Sequence, residues 1–374
     1  MIQPTDILIF VEDPGAANYV AELPSALIIQ GWKVRLFANG TAYDYLTQRG
    51  IAVESGLHLT STESILAEIP TRLLLIGTAE NPDTLGLALV ARARSAGITS
   101  IGVVDALANA DYRFRGRSNN PLAYAPDWLL VPNELTKTAY VGLGYPAQQI
   151  SICGHPHYDY VHVMAAQLSK EPLDSLRQRL FPDVLAGQKV VVFASEVSTG
   201  LNAQQYCRSA EYTLQGWGTS NRRTEVVLEE FLDAVKTINP RPYLVLRLHP
   251  KNNADEFTTY LHEFNLISSG GAPLELIYAA DCIVGMTTIL LLEAALMGKE
   301  TLSIVPRPVE QEWLPSIGMG LTSGVTTREQ LRVTLADVLR DTPQVPKFSQ
   351  ENAFVFGSLQ QVLRFITELL NRKL

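Results

Sequence analysis

Cysteine, basic charge and long apolar runs are all scarce in this sequence of 374 residues. The three cysteines lie far apart and form no CxxC pair, which is typical of a reducing compartment and gives no metal-binding signature. The net charge of −8 supplies no basic surface for nucleic acid. No apolar run reaches the roughly 18 residues of a membrane span. The sequence therefore predicts a cytoplasmic protein with no metal and no transmembrane segment, and it leaves peripheral membrane contact and the oligomeric state open.

Several catalytic signatures are missing as well. No GxGxxG follows the first predicted strand, and there is no Walker A lysine loop, no GxSxG elbow and no HExxH. These absences argue against dehydrogenases, P-loop NTPases, hydrolases of the nucleophile-elbow type and zincins. The first apolar segment, Asp6–Val11, follows no basic region, so no signal peptide is expected.

Apolar strand-like runs alternate with helical segments along most of the chain. This alternation predicts an α/β fold in which parallel sheets are covered by helices on both faces. The chain length is typical of about two domains. The pattern loosens around Tyr158–Gln188, where we place the domain junction. We predict an N-terminal domain over 1–165, a C-terminal domain over 166–350 and a terminal helical segment over 351–374.

The individual predicted elements can be tested against the structure. The strands with the strongest apolar patterns are Ile7–Val11, Leu73–Ile76, Ser100–Val104, Trp128–Val131, Lys189–Ala194 and Tyr243–Leu248. The predicted helices include one that follows the first strand through about Gln30, one over Asp255–Phe264 and an amphipathic helix over Phe354–Leu370.

The segment Ala279–Pro306 predicts a strand, a tight turn, a buried helix and a second strand. Gly285 breaks the first apolar run, and the hydroxyls of Thr287 and Thr288 can cap the helix that follows. A helix N-terminus at the carboxyl edge of a parallel sheet favours a phosphate group. This segment therefore predicts a phosphate site.

Glu293 is the only acid among the apolar residues of that helix. A buried carboxylate needs a partner. One candidate is a pair of ribose hydroxyls, which the two carboxylate oxygens can accept.

A second set of polar residues follows the strands of the first half. Asp13 precedes a turn into a helix, and the small and polar residues Gly15 and Asn18 of the same segment could contact a ligand. Asp13 is equally compatible with a general base and with a helix N-cap. Asp105 ends another strand with Arg113 nearby, which allows either a catalytic carboxylate or a structural ion pair.

The turn Gly154-His155-Pro156-His157 follows the last predicted strand of the first half. We expect His155 to contact substrate at the edge between the domains. A surface loop position is the expectation for His157.

Donor side chains follow a strand of the second half. Arg247, His249 and Lys251 are spaced so that the first two lie on the same side of the strand, and together they could bind a diphosphate. Ser195 and Glu196 follow another strand and predict either a nucleotide contact or a turn. The glycine turn that contains Gly271 could approach a base or a ribose. A polar insertion over Ser198–Arg223 predicts either a flexible lid or a partner surface.

Two segments of the sequence carry a resemblance to a known superfamily. The first comprises Ala125–Glu134, Gly144-Tyr145-Pro146, Ile150 and Gly154–Asp159, and the second Leu246–Pro250, Glu275–Asp281, Gly285–Glu293 and Gly298-Lys299. The first resembles the end of the N-terminal domain in non-hydrolysing UDP-GlcNAc 2-epimerases and CDP-glycerol glycerophosphotransferases, and the second is similar to their donor-binding half. These families belong to the GT-B superfamily, which has two facing Rossmann-like domains and a C-terminal helix that crosses back to the first.

The resemblance implies specific roles for residues of the second half. His249, Thr287 and Thr288 would bind the diphosphate, and Glu293 would bind the ribose. One departure concerns the acidic HxEAGxR turn of the epimerases, because Gly102–Leu107 keeps an acid, Asp105, and lacks the histidine, glycine and arginine. The His-Gly turn of the glycerophosphotransferases is also absent.

These observations predict a GT-B glycosyltransferase with a nucleotide sugar, for example UDP-linked, as donor and no other cofactor. The acceptor would be a sugar or a lipid-linked sugar of surface polysaccharide or glycoconjugate synthesis, and Asp13 or Asp105 would remove its proton. One alternative is a sugar-nucleotide 2-epimerase or hydrolase, in which these acids act on the sugar ring. Another is a nucleotide-binding scaffold without turnover.

Overall fold

A computed structural model of the chain describes residues 5–56, 71–79, 81–197, 199–200, 202–271, 273–340 and 357–371. The contacts divide the chain into two units. The first contains residues 1–160 together with 354–374, and the second contains residues 161–353. In the described ranges, no helix combines the length and the apolar character needed to cross a membrane.

The first unit contains a parallel sheet of seven strands in the order β3-β2-β1-β4-β5-β6-β7. The residues of β1, β4 and β5 are all buried, as expected for strands covered on both faces. The predicted bounds of β1 and β6 are confirmed without change. The strands are β1 Ile7–Val11, β2 Val34–Ala38, β3 Glu54–Ser55, β4 Leu73–Gly77, β5 Thr99–Val103, β6 Trp128–Val131 and β7 Ile150–Ile152.

The helices between these strands begin with α1 Pro14–Val20 and α2 Leu23–Ile29. The prediction of one helix through about Gln30 is wrong. Pro24 has no N–H to donate, and its ring would clash with the carbonyl four residues earlier, so a single helix cannot pass through it. The helices that follow are α3 Gly40–Gln48, α4 Leu85–Ala96, α5 Glu134–Gly142 and α6 Pro156–Leu168. Helix α6 begins the region that the sequence pattern left undefined.

The second unit has a parallel sheet of six strands in the order β10-β9-β8-β11-β12-β13. The interior strands match their predictions closely. The three-residue edge strands β10 and β13 carry too short a pattern to be predicted. The strands are β8 Val190–Ala194, β9 Tyr243–Arg247, β10 Leu266–Ser268, β11 Cys282–Gly285, β12 Glu300–Ile304 and β13 Ser323–Val325.

The predicted helix Asp255–Phe264 is wrong, because this segment forms two short 3-10 turns, Ala254–Phe257 and Leu261–Glu263. The two consecutive threonines at 258 and 259 have a low intrinsic helix propensity. The Tyr260 hydroxyl also donates a 2.8 Å hydrogen bond to Glu229 Oε1, which fixes the segment between the turns. The α-helices of this unit are α7 Leu173–Leu180, α8 Arg223–Val235, α9 Pro273–Ala279, α10 Ile289–Leu296, α11 Pro315–Gly318 and α12 Arg328–Val338.

Helix α13, Ser358–Asn371, packs in the first unit although it is far from that unit in sequence. Its buried residues Val362 and Ile366 belong to the same apolar cluster as Ile7 and Ile9 of β1. A C-terminal helix that returns to the first unit is what the GT-B prediction requires. The first three residues of the predicted helix, 354–356, lie outside the described residues.

Candidate functional site

Asp105 lies two residues beyond the end of β5, at the carboxyl edge of the first sheet. The Thr78 hydroxyl donates a 2.8 Å hydrogen bond to Asp105 Oδ1, and Arg113 Nη1 lies 4.0 Å from the same oxygen. The Arg113 side chain is 7% exposed, and its Nε also donates to the carbonyl of Ala108 at 3.1 Å. Asp105 is therefore paired with Arg113, as the structural interpretation expects. It also keeps 17% of its side chain exposed, which the catalytic interpretation requires.

The start of α1 packs directly against this carboxylate. A Cβ added at Gly15 would lie 2.0 Å from Asp105 Oδ2, so a larger residue fits at this position only if the carboxylate moves. Asp13 occupies the N-cap position of α1, as the capping interpretation predicts, although its side chain makes no capping hydrogen bond. Asn18 Oδ1 accepts a hydrogen bond from the Tyr45 hydroxyl and thereby joins α1 to α3.

The contact between Gly15 and Asp105 gives a testable prediction. Gly15→Ala is expected to push the Asp105 carboxylate aside and to lower kcat by roughly 10- to 100-fold, since a displacement of about 1 Å can cost 10²-fold in rate. The melting temperature should change little, because the carboxylate is partly exposed and can move. Gly142→Ala is the control, since a Cβ there meets no atom within 4 Å. Unchanged kcat in Gly15→Ala would show that the position of this carboxylate does not matter for turnover.

The two histidines of the turn after β7 are both buried. His155 is 3% exposed and packs between the rings of Tyr19 and Tyr158, with ring centroids 4.8 and 4.7 Å away. Burial, and then the neighbouring His157, hold the pKa of His155 well below its usual value, so its imidazole is neutral. Its Nδ1 accepts the backbone N–H of His157 at 3.3 Å. The prediction of a surface position for His157 is wrong, because it lies in α6 and is 3% exposed.

In the second unit, Ser195 connects the loops that follow β8 and β9. Its hydroxyl donates to Asn252 Oδ1 at 2.9 Å and accepts the backbone N–H of His249 at 3.0 Å. The backbone N–H of Lys251 donates to His249 Nδ1 at 3.1 Å, which leaves the proton of a neutral imidazole on Nε2. This hydrogen bond brings His249 and Lys251 together at this edge of the sheet. His249 is half-buried, and Lys251 is exposed.

Arg247 and Glu293 form the buried part of the second edge. The Arg247 guanidinium is 7% exposed and donates to Ser268 Oγ at 2.9 Å and to the carbonyl of Gly271 at 3.4 Å. Burial lowers the pKa of Arg247, while the charge of Glu293 opposes that shift. Glu293 is 1% exposed within α10. Arg247 thus holds the glycine turn in place, and the two predicted ligand contacts, Arg247 and Glu293, interact with each other.

The predicted turn and helix after β11 are confirmed. Thr288 is the N-cap of α10, and its side chain accepts the backbone N–H of Leu290 at 3.4 Å. Gly285 allows the Thr288 side chain to pack against the backbone of this turn, because an added Cβ would lie 2.9 Å from the Thr288 methyl group. The backbone N–H of Thr287 donates to Glu196 Oε1 at 2.5 Å, and its hydroxyl lies 3.1 Å from Glu196 Oε2.

A buried ion-pair network was not predicted from the sequence. Arg223, the first residue of α8, is 1% exposed and donates to Glu196 Oε2 at 2.7 Å and to Glu310 Oε2. Arg307 Nε contacts the other oxygen of Glu310 at 2.5 Å. Burial alone would lower the pKa of Arg223, but Glu196 and Glu310 outweigh it and raise that pKa above its usual value. The arginine is therefore a permanent cation beside Thr287.

The second half of the predicted insertion Ser198–Arg223 is fixed onto α8. A β-bridge pairs Cys207 with Arg222. The backbone N–H groups of Gly216 and Trp217 donate to the buried carboxylates of Glu230 and Glu229, at 2.8 and 2.6 Å. These contacts favour a structural role for residues 207–222 over a flexible lid.

Neither sheet edge presents a metal site in the described ranges, where no group of three or more His, Cys, Asp or Glu side chains could hold a metal ion. The functional groups described at the two sheet edges are carboxylates, guanidinium groups, imidazoles and hydroxyls.

No protein-family model and no curated protein sequence matches this chain. Solved structures match it over almost its full length. UDP-GlcNAc 2-epimerase from Neisseria meningitidis, bound to UDP-GlcNAc, is 15% identical, with coverage of 98% of this chain and 100% of that one and a TM-score of 0.67. The Methanocaldococcus jannaschii enzyme in complex with UDP-GlcNAc and UDP is 14% identical, with coverage of 97% and 100% and a TM-score of 0.69.

A third similar structure is the wall teichoic acid polymerase TagF. It is 12% identical, with coverage of 100% of this chain and 90% of that one and a TM-score of 0.58. At these identities the similarity establishes the fold. The chain has the GT-B fold, with two Rossmann-like parallel-sheet domains.

Proposed function

We propose that this protein is an enzyme that binds a nucleotide sugar and acts on the sugar itself, as a 2-epimerase or a hydrolase. The observation that carries the proposal is the Asp105 carboxylate, which Gly15, Thr78 and Arg113 hold at the carboxyl edge of the first sheet. The solved structures that are similar to the chain include several UDP-GlcNAc 2-epimerases, with UDP-GlcNAc or UDP bound in some. These relatives favour chemistry on the sugar ring over our first expectation, a glycosyl transfer.

The second unit would bind the nucleotide diphosphate. His249 would offer its Nε2–H to one phosphate, and the start of α10 would offer N–H groups and the Thr288 hydroxyl to the other. Glu293 would accept the ribose hydroxyls, as the resemblance implies. Arg247 would act indirectly, because its guanidinium already holds Ser268 and Gly271.

The first unit would supply the acid–base groups. Inversion at a ring carbon requires that a C–H bond breaks and forms again on the other face, so a base and a proton donor are needed. Asp105 is the proposed base, and the partly buried Asp13 is a further carboxyl group on the same edge. Positioned proton transfer of this kind contributes about 10²–10⁴-fold in rate.

Glycosyl transfer to an acceptor is the second candidate. The similarity to a teichoic acid polymerase over the whole of this chain supports it. The acidic turn also supports it, since Gly102–Leu107 lacks the histidine, glycine and arginine of the epimerase motif.

One experiment distinguishes these reactions. The protein is incubated in D₂O with UDP-GlcNAc and with GDP-, CDP- and TDP-linked sugars, first without any acceptor, and the products are followed by NMR. We expect an acceptor-independent change in the sugar, with deuterium at the inverted carbon for an epimerase or free sugar for a hydrolase. Conversion only after an acceptor is added would establish transfer. Binding of a nucleotide sugar with no conversion under either condition would contradict both reactions and support a scaffold.

A further inference from the structure

Glu196 occupies the place at the start of α10 where the proposed function puts an anionic group. Both of its carboxylate oxygens contact Thr287, one at the backbone N–H and one at the hydroxyl. A carboxylate bound by an N–H group, a hydroxyl and a guanidinium has the partners that a phosphate would have at a helix start. The chain therefore provides its own anion at this position.

The charges around Glu196 are balanced only while it stays in place. Arg223 lies between Glu196 and Glu310, and Arg307 pairs with the far side of Glu310. Two guanidinium groups thus face two carboxylates. Arg223 and Glu310 are 1% and 0% exposed, whereas the Glu196 side chain is 13% exposed. Glu196 is therefore the member of this network that can leave with the least rearrangement, and its departure leaves one positive charge in excess.

Tyr212 packs near Arg307 of this network, whose guanidinium carbon lies 5.8 Å from the centre of the Tyr212 ring. Its ring is 6% exposed, and within the described residues its buried hydroxyl has no hydrogen-bond partner. A buried hydroxyl without a hydrogen-bond partner costs free energy.

We propose that Glu196 is an internal anion which the diphosphate of a ligand displaces from Thr287 and Arg223, and that Glu196 thereby sets the affinity of this site for nucleotide diphosphates. The inference rests on the proposed function, because it concerns the same nucleotide site. Displacement converts a neutral network into a positive one at the moment of binding, so a ligand with two phosphate charges gains more than a neutral nucleoside. Glu196 is a determinant of specificity in this scheme.

The test uses Glu196→Gln, which keeps the size of the side chain and an oxygen for the Thr287 N–H but removes the charge. Binding of inorganic diphosphate, UDP and uridine is measured by calorimetry. We expect Glu196→Gln to bind diphosphate and UDP at least about tenfold more tightly than the wild type, because the ligand no longer has to displace a carboxylate that is ion-paired with Arg223. Uridine, which has no phosphate, should bind equally to both proteins.

Three further variants keep the result interpretable. Glu196→Ala removes the charge by another route and should show the same gain, while Glu196→Asp keeps the charge and should behave like the wild type. Glu263→Gln is the matched control, because Glu263 is similarly 15% exposed and paired with Arg241. It makes the same change in net charge and should leave diphosphate binding unaltered.

The outcomes separate this inference from the proposed function. The displacement scheme is overturned if Glu196→Gln and Glu196→Ala bind diphosphate no more tightly than the wild type does. It is also overturned if neither the variants nor the wild type bind diphosphate. The proposed function would still stand if the wild type converts nucleotide sugars. If the variants gain affinity for inorganic diphosphate while no nucleotide sugar binds or is converted, the internal anion is established and the proposed function is wrong.

Discussion

Replacing Asp105 by asparagine is expected to lower turnover of the nucleotide sugar by about 10²–10⁴-fold, the usual contribution of a positioned general base. Asparagine has nearly the same shape and can still accept the hydrogen bond from Thr78, so the fold and the packing against Gly15 should survive. The side-chain amide cannot take up a proton, and for this reason the effect should fall on kcat. The second unit is unaltered, and nucleotide affinity should remain that of the wild type. Steady-state kinetics and calorimetric binding of UDP measure the two quantities separately.

Two variants serve as comparisons for Asp105→Asn. Asp83→Asn removes an exposed acid of the same unit, which pairs with Arg117, and should leave kcat unchanged. Asp13→Asn tests the other carboxylate that the sequence offered as a base. If Asp13→Asn abolishes turnover and Asp105→Asn does not, the roles are the reverse of those proposed. Full turnover in both would remove carboxylate catalysis from the first unit.

Arg223→Met is expected to destabilise the second unit by about 3–5 kcal/mol, the usual cost of removing one partner from a buried ion pair. Methionine fills much of the volume of the arginine stem but cannot neutralise Glu310, which is 0% exposed and, among the residues that the structure describes, retains Arg307 as its cationic partner. The free energy of unfolding follows from urea denaturation monitored by circular dichroism, with the two units treated as separate transitions where they do not coincide.

Arg222→Met is a closely matched control for this loss. Arg222 is the preceding residue, and its side chain is 55% exposed and pairs with Glu225 on the surface. Exposed pairs contribute about 0–1 kcal/mol, so a small effect is expected there. The double variant Arg223→Met, Glu196→Gln should recover part of the stability, because Glu310 keeps its ion pair with Arg307 and no carboxylate of the network is left in excess. Equal stability of Arg223→Met and Arg222→Met would show that the network does not stabilise the unit.

Much of the fold could be predicted from the sequence because its signals are local. A continuous apolar run bounded by glycine or a polar residue identifies a buried parallel strand, and β1 and β6 follow that rule to the residue. The turn at Gly285 and the helix that begins after Thr288 were predictable for the same reason. The helix predicted over Asp255–Phe264 is wrong because a tertiary contact, the hydrogen bond from Tyr260 to Glu229, outweighed the helical spacing of its apolar residues.

Less of the candidate site could be predicted from the sequence, because its main contacts join residues that are far apart in the chain. Arg223 pairs with Glu196 across 27 positions and with Glu310 across 87. In a polar insertion an arginine is expected to be solvated, and no periodic pattern marks it as buried. Predicting Glu196 and Thr287 separately as ligand contacts was possible, whereas their contact with each other depends on the order of the strands, which places β8 beside β11.

The return of α13 to the first unit has a consequence for biosynthesis. Residues 161–353, which form the whole second unit, are inserted within the sequence of the first. As a chain grows from its N-terminus, domains generally fold as they emerge. The apolar surface around Ile7 and Ile9 acquires its contact with Val362 and Ile366 only after the entire second unit has been synthesised. The first unit is thus completed only after the second, although most of its residues are encoded before it.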